Sequence, residues 1–172
     1  MELKLISNRV KLILISMEYA NDICMHFTAE ITRYMWPSAP KSQEEINQHI
    51  LLKQSEMKRN EEISLLVIKK DSDEFLGYVS LHQANTKTPE LGIWLKKDVH
   101  GCQYGYEALN LLKKWVEKNL IYDYLKYPVD KRNISSRKLA EKLGGQVEAE
   151  YVKTSESGNQ LDEVEYRFYK KS

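Results

Sequence analysis

Apolar and polar residues alternate along residues 10–15, and this repeat of two predicts a first β-strand. Ser16 resembles a helix N-cap for a helix over residues 18–27, and a second short helix over residues 30–35 stops before Pro37. A longer helix is expected from Ser42 to about residue 58, with Ile46 and Ile50 on its inner face. The first third of the chain therefore predicts one strand and three helices.

Strands and helices alternate in the rest of the chain. Strands are predicted over residues 63–69, 75–81 and 90–96, joined by turns rich in Asp, Ser, Asn and Pro. A helix to about residue 118, a strand over 122–127, a helix over 135–143 and strands over 146–153 and 163–169 follow. The order β-α-α-α-β-β-β-α-β-α-β-β predicts one mixed α+β domain over residues 1–172, with an antiparallel meander that leads into a βαβ unit.

Composition indicates a globular protein without an obvious polyanionic or membrane partner. Of the 172 residues, 42% are apolar and 30% charged, and the formal net charge of +1 gives no field that would attract nucleic acid or a membrane. No signal peptide is expected, and the apolar runs are too short to span a bilayer. Cys24 and Cys102 match no metal-ligand spacing, so we expect two free thiols, no metal and a cytoplasmic protein.

The segment between the strand at 90–96 and the next helix carries the candidate chemistry. Residues 100–105 read HGCQYG, which joins the end of a strand to the N-terminus of a helix. Unpaired backbone N–H groups and the positive end of the helix dipole make such a junction a binding site for phosphate. Neither G-x-x-x-x-G-K-[ST] nor G-x-G-x-x-G occurs, so the common nucleotide-binding motifs are excluded.

These six residues resemble the [Q/R]-x-x-G-x-[G/A] motif of the Gcn5-related N-acetyltransferases (GNAT). His100 stands at the first position, Gln103 replaces the first glycine and Gly105 keeps the last small residue. Further segments resemble the ribosomal-protein-alanine acetyltransferase-like (RimJ/RimL-type) branch, in the same order along the chain: NRVKL at 8–12, FLGYVSL at 75–81, ELGIWL at 90–95, NISS at 133–136 and KLGG at 142–145. The resemblance implies the GNAT fold, a mixed and mostly antiparallel sheet with helices on both faces.

The resemblance also implies acetyl-coenzyme A as a co-substrate. The backbone around Ile93, Trp94 and Leu95 would pair with the pantetheine amides, as an added strand would. Asn133 and Ser136 would contact the coenzyme arm, although Asn133 also suits a helix N-cap. The residues that would hold the pyrophosphate are His100, Gly101, Cys102, Gln103, Tyr104, Gly105 and Tyr106. His100 would add positive charge there when protonated, or would simply be solvated.

Members of this family transfer the acetyl group directly to an amine, which must first lose a proton to a base. Glu90 occupies a strand position from which relatives place a carboxylate toward the amine; the alternative is a solvated charge at a strand end. The tyrosine that serves related enzymes as general acid is replaced by Ala140. Substitutes for that acid would be Tyr104, Tyr106 or Tyr127. An acetyl-enzyme on Cys102 is disfavoured, because no His/Asp partner pattern accompanies it.

Tyr34 and Trp36, beside Pro37, would wall the acceptor pocket together with the hairpin near Gly158, or would only cap the core. The leading prediction is an N-acetyltransferase that acts on a primary amine, either a protein N-terminus or a small molecule. The alternative is a module that binds coenzyme A with little or no catalysis, which the substitutions at Gln103 and Ala140 favour. The third hypothesis is a structural or interaction domain that binds no nucleotide. A homodimer is compatible with the resemblance.

Overall fold

The computed structural model describes residues 3–170, and eight strands in that range form one sheet. The strands are β1 (Lys4–Ile6), β2 (Val10–Leu14), β3 (Glu62–Lys69), β4 (Phe75–His82), β5 (Glu90–Leu95), β6 (Tyr124–Asp130), β7 (Gln146–Thr154) and β8 (Gln160–Tyr169). They lie in the order β1-β2-β3-β4-β5-β6-β8-β7. All neighbours are antiparallel except β5 and β6, which are parallel. The mixed, mostly antiparallel sheet confirms the predicted fold class.

Five helices cover the two faces of the sheet: α1 (Ala20–His26), α2 (Ala29–Thr32), α3 (Gln43–Lys58), α4 (Tyr104–Asn119) and α5 (Ile134–Lys142). Side chains of a strand alternate between faces, so Leu65 and Val67 of β3 pack in the core beneath α4 and α5. Leu66 and Ile68 pack on the opposite face, in the core beneath α1 and α3. Helices therefore lie on both faces, as predicted. Among the helices described within residues 3–170, none is long and apolar enough to cross a bilayer.

Two strand assignments from the sequence need correction. The sequence analysis did not predict β1, a three-residue strand that forms a hairpin with β2 closed by a hydrogen bond from Ser7 N–H to Val10 O. The strand predicted over residues 122–127 instead spans Tyr124–Asp130 and includes Pro128. Proline lacks an N–H donor, so a strand tolerates it only where no partner needs that donor. Lys126 N–H bonds to Pro89 O, and residues two apart direct their backbone groups to the same edge, so the nitrogen of Pro128 also points toward β5. The pairing with β5 has already ended at this position, so no hydrogen bond is lost.

The parallel strands β5 and β6 separate almost as soon as they meet. Their register contains one pair, Glu90 with Lys126. On its other edge β5 stays paired with β4 along its whole length, from Glu90 opposite His82 to Leu95 opposite Gly77. The sheet therefore opens at its centre, and one edge of β5 faces a gap instead of a neighbouring strand.

Candidate active site

A cleft of about 1490 Å³ enters the molecule at the gap between β5 and β6. This exceeds the ~300–1,000 Å³ of a usual small-molecule pocket and leaves room for two substrates. Among the described residues, Cys102 is the predicted site residue that does not line it. The predicted residues that do are Tyr34, Trp36, Glu90, Ile93, Trp94, Leu95, His100, Gly101, Gln103, Tyr104, Gly105, Tyr106, Asn133 and Ser136.

One wall of the cleft is the open edge of β5. Lys96 N–H bonds to Leu76 O, so even-numbered residues of this segment direct their backbone groups toward β4. The backbone groups of Ile93 and Leu95 therefore point into the gap, as expected for a strand edge that pairs with an extended ligand. The backbone groups of Trp94 point away from the gap, because they pair with β4. Its side chain is buried against Phe27.

The loop that leads into α4 forms the floor of this part of the cleft. Gly101 has φ of 78° and Gln103 has φ of 66°, both in the left-handed region that glycine adopts most easily. Gln103 thus adopts the left-handed conformation at the position where the motif has glycine. Among residues 3–170 no side chain caps α4 at Gln103, which leaves backbone N–H groups of its first turn for an anion.

Side chains of Ser7, Arg9 and Glu107 hold this loop in place. The Arg9 guanidinium donates to Glu107 Oε2 at 2.7 Å and to Cys102 O at 3.0 Å, and it stacks over the Tyr104 ring. Burial alone would raise the pKa of Glu107, but hydrogen bonds from Ser7 and Arg9 outweigh it and lower that pKa. The sequence analysis did not assign Arg9 or Glu107 to the site, although Arg9 lies in one of the quoted motifs.

His100 and Lys142 place two basic side chains at the mouth of the loop. His100 is exposed, and its Nε2–H donates to Leu95 O at 2.8 Å, so it ties the loop to the open edge of β5. It also occupies a carbonyl that an added strand would otherwise use. Lys142 Nζ donates to Gln103 Oε1 at 2.7 Å and lies 4.3 Å from the centre of the Tyr106 ring. Lys142 was quoted in a motif but not predicted as a site residue.

The opposite wall is built by β6 and α5. Asn133 caps α5, with its Oδ1 accepting from Ser136 N–H at 3.2 Å, which confirms the helix-capping alternative. Ser136 Oγ lies 2.6 Å from the hydroxyl of Tyr127, and burial raises the pKa of Tyr127 to about 12. Ala140, at the position where relatives carry an acid, is fully buried. The Tyr127 hydroxyl is therefore neutral, and the residue contributes to the lining of the cleft.

A buried carboxylate anchors the turn before α5. Asp130 accepts from Arg132 Nε and from the backbone N–H of Arg132 and of Asp162, and it has no exposed surface although Arg132 is half exposed. Burial would raise the pKa of Asp130, but these hydrogen bonds outweigh burial and lower it. The turn is thereby fixed between β6 and β8, and Asn133 is held at the start of the helix.

The far end of the cleft is enclosed by the loop after α2 and by the β7–β8 hairpin. Glu156 N–H donates to Trp36 O at 2.9 Å, and Ser38 N–H donates to a carboxylate oxygen of Glu156 at 2.7 Å. Tyr34 lies against the Arg132 guanidinium, 4.9 Å from the ring centre. Trp36 keeps 52% of its surface exposed beside the opening, so both predicted aromatic residues line the cleft rather than only cap the core.

The sequence of the chain shows which protein family it belongs to. A family model described as "Acetyltransferase (GNAT) domain" matches residues 9–146, most of the chain. The chain belongs to the GNAT acetyltransferase family. The resemblance stated from these short motifs is thereby confirmed, and so is the prediction that the chain is an N-acetyltransferase. Among curated proteins no sequence matches it significantly.

Solved structures share the fold of this acetyltransferase at low sequence identity. A RimL ribosomal L7/L12 alpha-N-protein acetyltransferase in complex with coenzyme A is 17% identical, with a TM-score of 0.86 over 97% of this chain and 98% of that one. A GNAT-family acetyltransferase from Bacillus anthracis is 16% identical, with a TM-score of 0.84 over 99% and 100%. The microcin C7 self-immunity acetyltransferase MccE, solved with acetyl-CoA and AMP, is 18% identical, with a TM-score of 0.84 over 95% and 93%.

Beside the cleft, this acetyltransferase contains a polar network that the sequence analysis missed. Glu62 Oε2 lies 2.8 Å from His82 Nδ1, and His82 Nε2 lies 3.0 Å from Ser80 Oγ. Ser64 Oγ donates to Glu62 Oε1 at 3.0 Å and lies 2.7 Å from the Tyr78 hydroxyl. The available signal was a run of polar residues at every second position of two otherwise apolar strands, which places them on one face.

Two carboxylates lie on the same side of the sheet. Glu90 is directly opposite His82 in the register of β4 and β5, and it has no side-chain hydrogen bond to the residues described between 3 and 170. Glu163 on β8 is buried, and burial raises its pKa while nearby Lys153 opposes the rise. Lys153 Nζ lies 3.2 Å from Glu163 Oε2, an ion-pair contact without hydrogen-bond geometry, and within residues 3–170 that oxygen has no hydrogen-bond donor.

Proposed function

We propose that this acetyltransferase binds acetyl-coenzyme A along the open edge of β5 and transfers the acetyl group directly to a primary amine. The observation that carries the proposal is the separation of β5 from β6 after the single pair Glu90–Lys126, beside an uncapped helix N-terminus. An extended chain with amide groups fits the edge, and a pyrophosphate fits the helix end. No other part of the described chain combines these two features.

The residues at each end of the cleft have separate proposed roles. The backbone of Ile93 and Leu95 would bind the pantetheine arm, and the first turn of α4 would bind the pyrophosphate with Lys142 adding positive charge. Ser136 and Tyr127 would face the same arm from the other wall, with Tyr127 placed to give a proton to the departing thiolate. His100 would contact the pyrophosphate only after releasing Leu95 O.

The acceptor would enter between Trp36 and the β7–β8 hairpin. Glu90 gives this end negative charge and would attract an ammonium group, whereas Glu163 is already ion-paired with Lys153 at 3.2 Å. A protein N-terminus and a small-molecule amine both carry such a group.

Cys24 and Cys102 are unpaired, which suits a protein of the reducing cytoplasm.

The test is release of free thiol from acetyl-CoA, measured over a panel of peptides with free N-termini, polyamines, amino acids and aminoglycosides. We expect thiol release that depends on at least one amine, with a product heavier by one acetyl group. N-acetylated versions of the same peptides are the matched controls and should release none. Binding of acetyl-CoA with no thiol release over the whole panel would contradict the enzyme and favour the alternative of a coenzyme-binding module.

A further inference from the structure

The imidazole of His82 lies in the cleft, and each of its two nitrogens has a hydrogen-bond partner, Glu62 at Nδ1 and Ser80 at Nε2. Its side chain is 38% exposed and lines the cleft, whereas Glu62 behind it is 5% exposed. Glu62 Oε2 accepts from His82 Nδ1 at 2.8 Å, and Lys53 Nζ lies 3.5 Å from the same oxygen. A carboxylate beside an ammonium group accepts hydrogen bonds only, so the proton of the neutral imidazole lies on Nδ1.

The second nitrogen is consequently the basic one. Nε2 lies 3.0 Å from Ser80 Oγ, so in this structure the Ser80 hydroxyl donates to it. Ser80 is only 1% exposed, although it contributes to the lining of the cleft. It holds the ring in position until an amine reaches Nε2 from the cleft.

Gly92 keeps the space in front of Nε2 open. A Cβ on Gly92 would lie 3.1 Å from His82 Nε2 and 2.7 Å from Ser80 Oγ, so any larger residue would displace both groups. Gly92 directly precedes Ile93, whose backbone faces the gap between β5 and β6. The basic nitrogen is therefore placed beside the part of β5 along which we place the pantetheine arm.

We infer that His82 is the general base of the acetyl transfer and that Glu62 is its positioning residue. The inference rests on the proposed function for its substrates. His82 Nε2 takes the proton of the attacking amine as the new C–N bond forms and the C–S bond of the thioester breaks. The sulfur leaves as thiolate and accepts a proton from Tyr127, whose own proton is restored from solvent, and His82 then passes the proton of the amine to solvent. Glu90, the base that the sequence analysis predicts, contributes negative charge opposite His82.

The charged groups around His82 come from three elements. Glu62 lies on β3, Glu90 lies on β5, and Lys53 and His49 lie on α3. Burial, and then the charge of Lys53, lower the pKa of His49, which favours the neutral form of this second histidine. Glu62 is the group that orients the His82 ring, through its contact with Nδ1.

The first arm of the test compares His82→Gln with Glu90→Gln, Glu163→Gln and His26→Gln. We expect His82→Gln to lower kcat about 100-fold or more with the Kd for acetyl-CoA unchanged, since general base catalysis contributes about 10²–10⁴-fold. Its pH profile should lose the limb along which wild-type activity rises as imidazole deprotonates. His26 stacks on Phe75, and its variant is the matched control for a folded chain. A His82→Gln variant within about threefold of wild type would overturn the inference and leave the proposed function standing.

The second arm needs no turnover. Long-range ¹H–¹⁵N spectra of histidine-labelled protein distinguish the two imidazole tautomers, and His82 is assigned by its absence from His82→Gln. We expect the Nδ1–H form in the wild type, and a mixture of tautomers in Glu62→Gln together with a fall in kcat of about tenfold at constant KM. An Nε2–H tautomer in the wild type would overturn the inference, because Nε2 would then have no lone pair to accept a proton.

Discussion

Replacing Gly105 by Trp is expected to lower the affinity for acetyl-CoA by about 100-fold or more, a loss of about 2.7 kcal/mol. A Cβ at Gly105 would point at Leu95 Cδ1, Ile93 Cδ1 and Leu139 Cδ2, at 3.5, 3.7 and 3.7 Å. These atoms come from β5 and α5, which line opposite walls of the cleft. A methyl group has room there, but an indole would extend from the first turn of α4 into the cleft, where we propose that acetyl-CoA binds. Isothermal titration calorimetry with acetyl-CoA measures the effect.

The matched control places the same side chain elsewhere on the same helix. Lys118 is exposed near the end of α4 and does not line the cleft, so Lys118→Trp should bind acetyl-CoA like the wild type. Gly105→Ala should retain the melting temperature of the wild type, because its methyl group makes only ordinary contacts. A Gly105→Trp protein that is folded and binds with unchanged affinity would place the coenzyme somewhere else.

Replacing Gly77 by Ala is expected to destabilise the sheet where it borders the cleft. A Cβ at Gly77 would lie 2.2 Å from Trp94 O and 2.7 Å from Leu95 Cα, both backbone atoms of β5 that cannot move without breaking the β4–β5 pairing. Overpacking of this kind costs about 3 kcal/mol in free energy of unfolding, and here it also displaces the strand edge that faces the gap. Urea unfolding followed by circular dichroism measures the loss.

A methyl group at Gly105 serves as the comparison, because the nearest atoms there are 3.5 Å away and belong to side chains. We expect Gly77→Ala to lower the urea midpoint clearly while Gly105→Ala changes it little. Equal midpoints for the wild type and Gly77→Ala would show that the backbone of β5 adjusts to this position at little cost, and the close contact would then not explain the glycine.

Local patterns were sufficient to predict most of the fold. Alternation in the strands and helical spacing in the amphipathic helix α4 depend on short windows of sequence, so these elements were placed nearly where the structure has them. The strand β1 was missed because three residues are too few to show a period. The end of β6 was misplaced because Pro128 normally interrupts a strand, and only the gap beside β5 makes its missing N–H harmless.

The glycine-containing loop at the start of α4 was predictable from sequence, and the polar network around His82 was not. Gly101 and Gly105 lie in one continuous segment, and a loop that precedes a helix can be interpreted from sequence alone. The pair Glu62–His82 joins residues that are twenty positions apart, and it forms only because the β3–β4 register sets them opposite each other. A register is fixed by the packing of the whole sheet, so the alternating polar positions indicate a shared face but do not identify which residues pair.

The central claim is that acetyl-CoA lies along the open edge of β5 with its pyrophosphate at the start of α4. The most direct test is a ¹H–¹⁵N titration of labelled wild-type protein with acetyl-CoA, in which the backbone amides are followed one by one. We predict the largest shifts at the amides of Ile93 and Leu95 and across residues 104–106, with small shifts on the outer strands β1 and β7. No change at saturating acetyl-CoA, or changes confined to residues outside the cleft, would contradict the account.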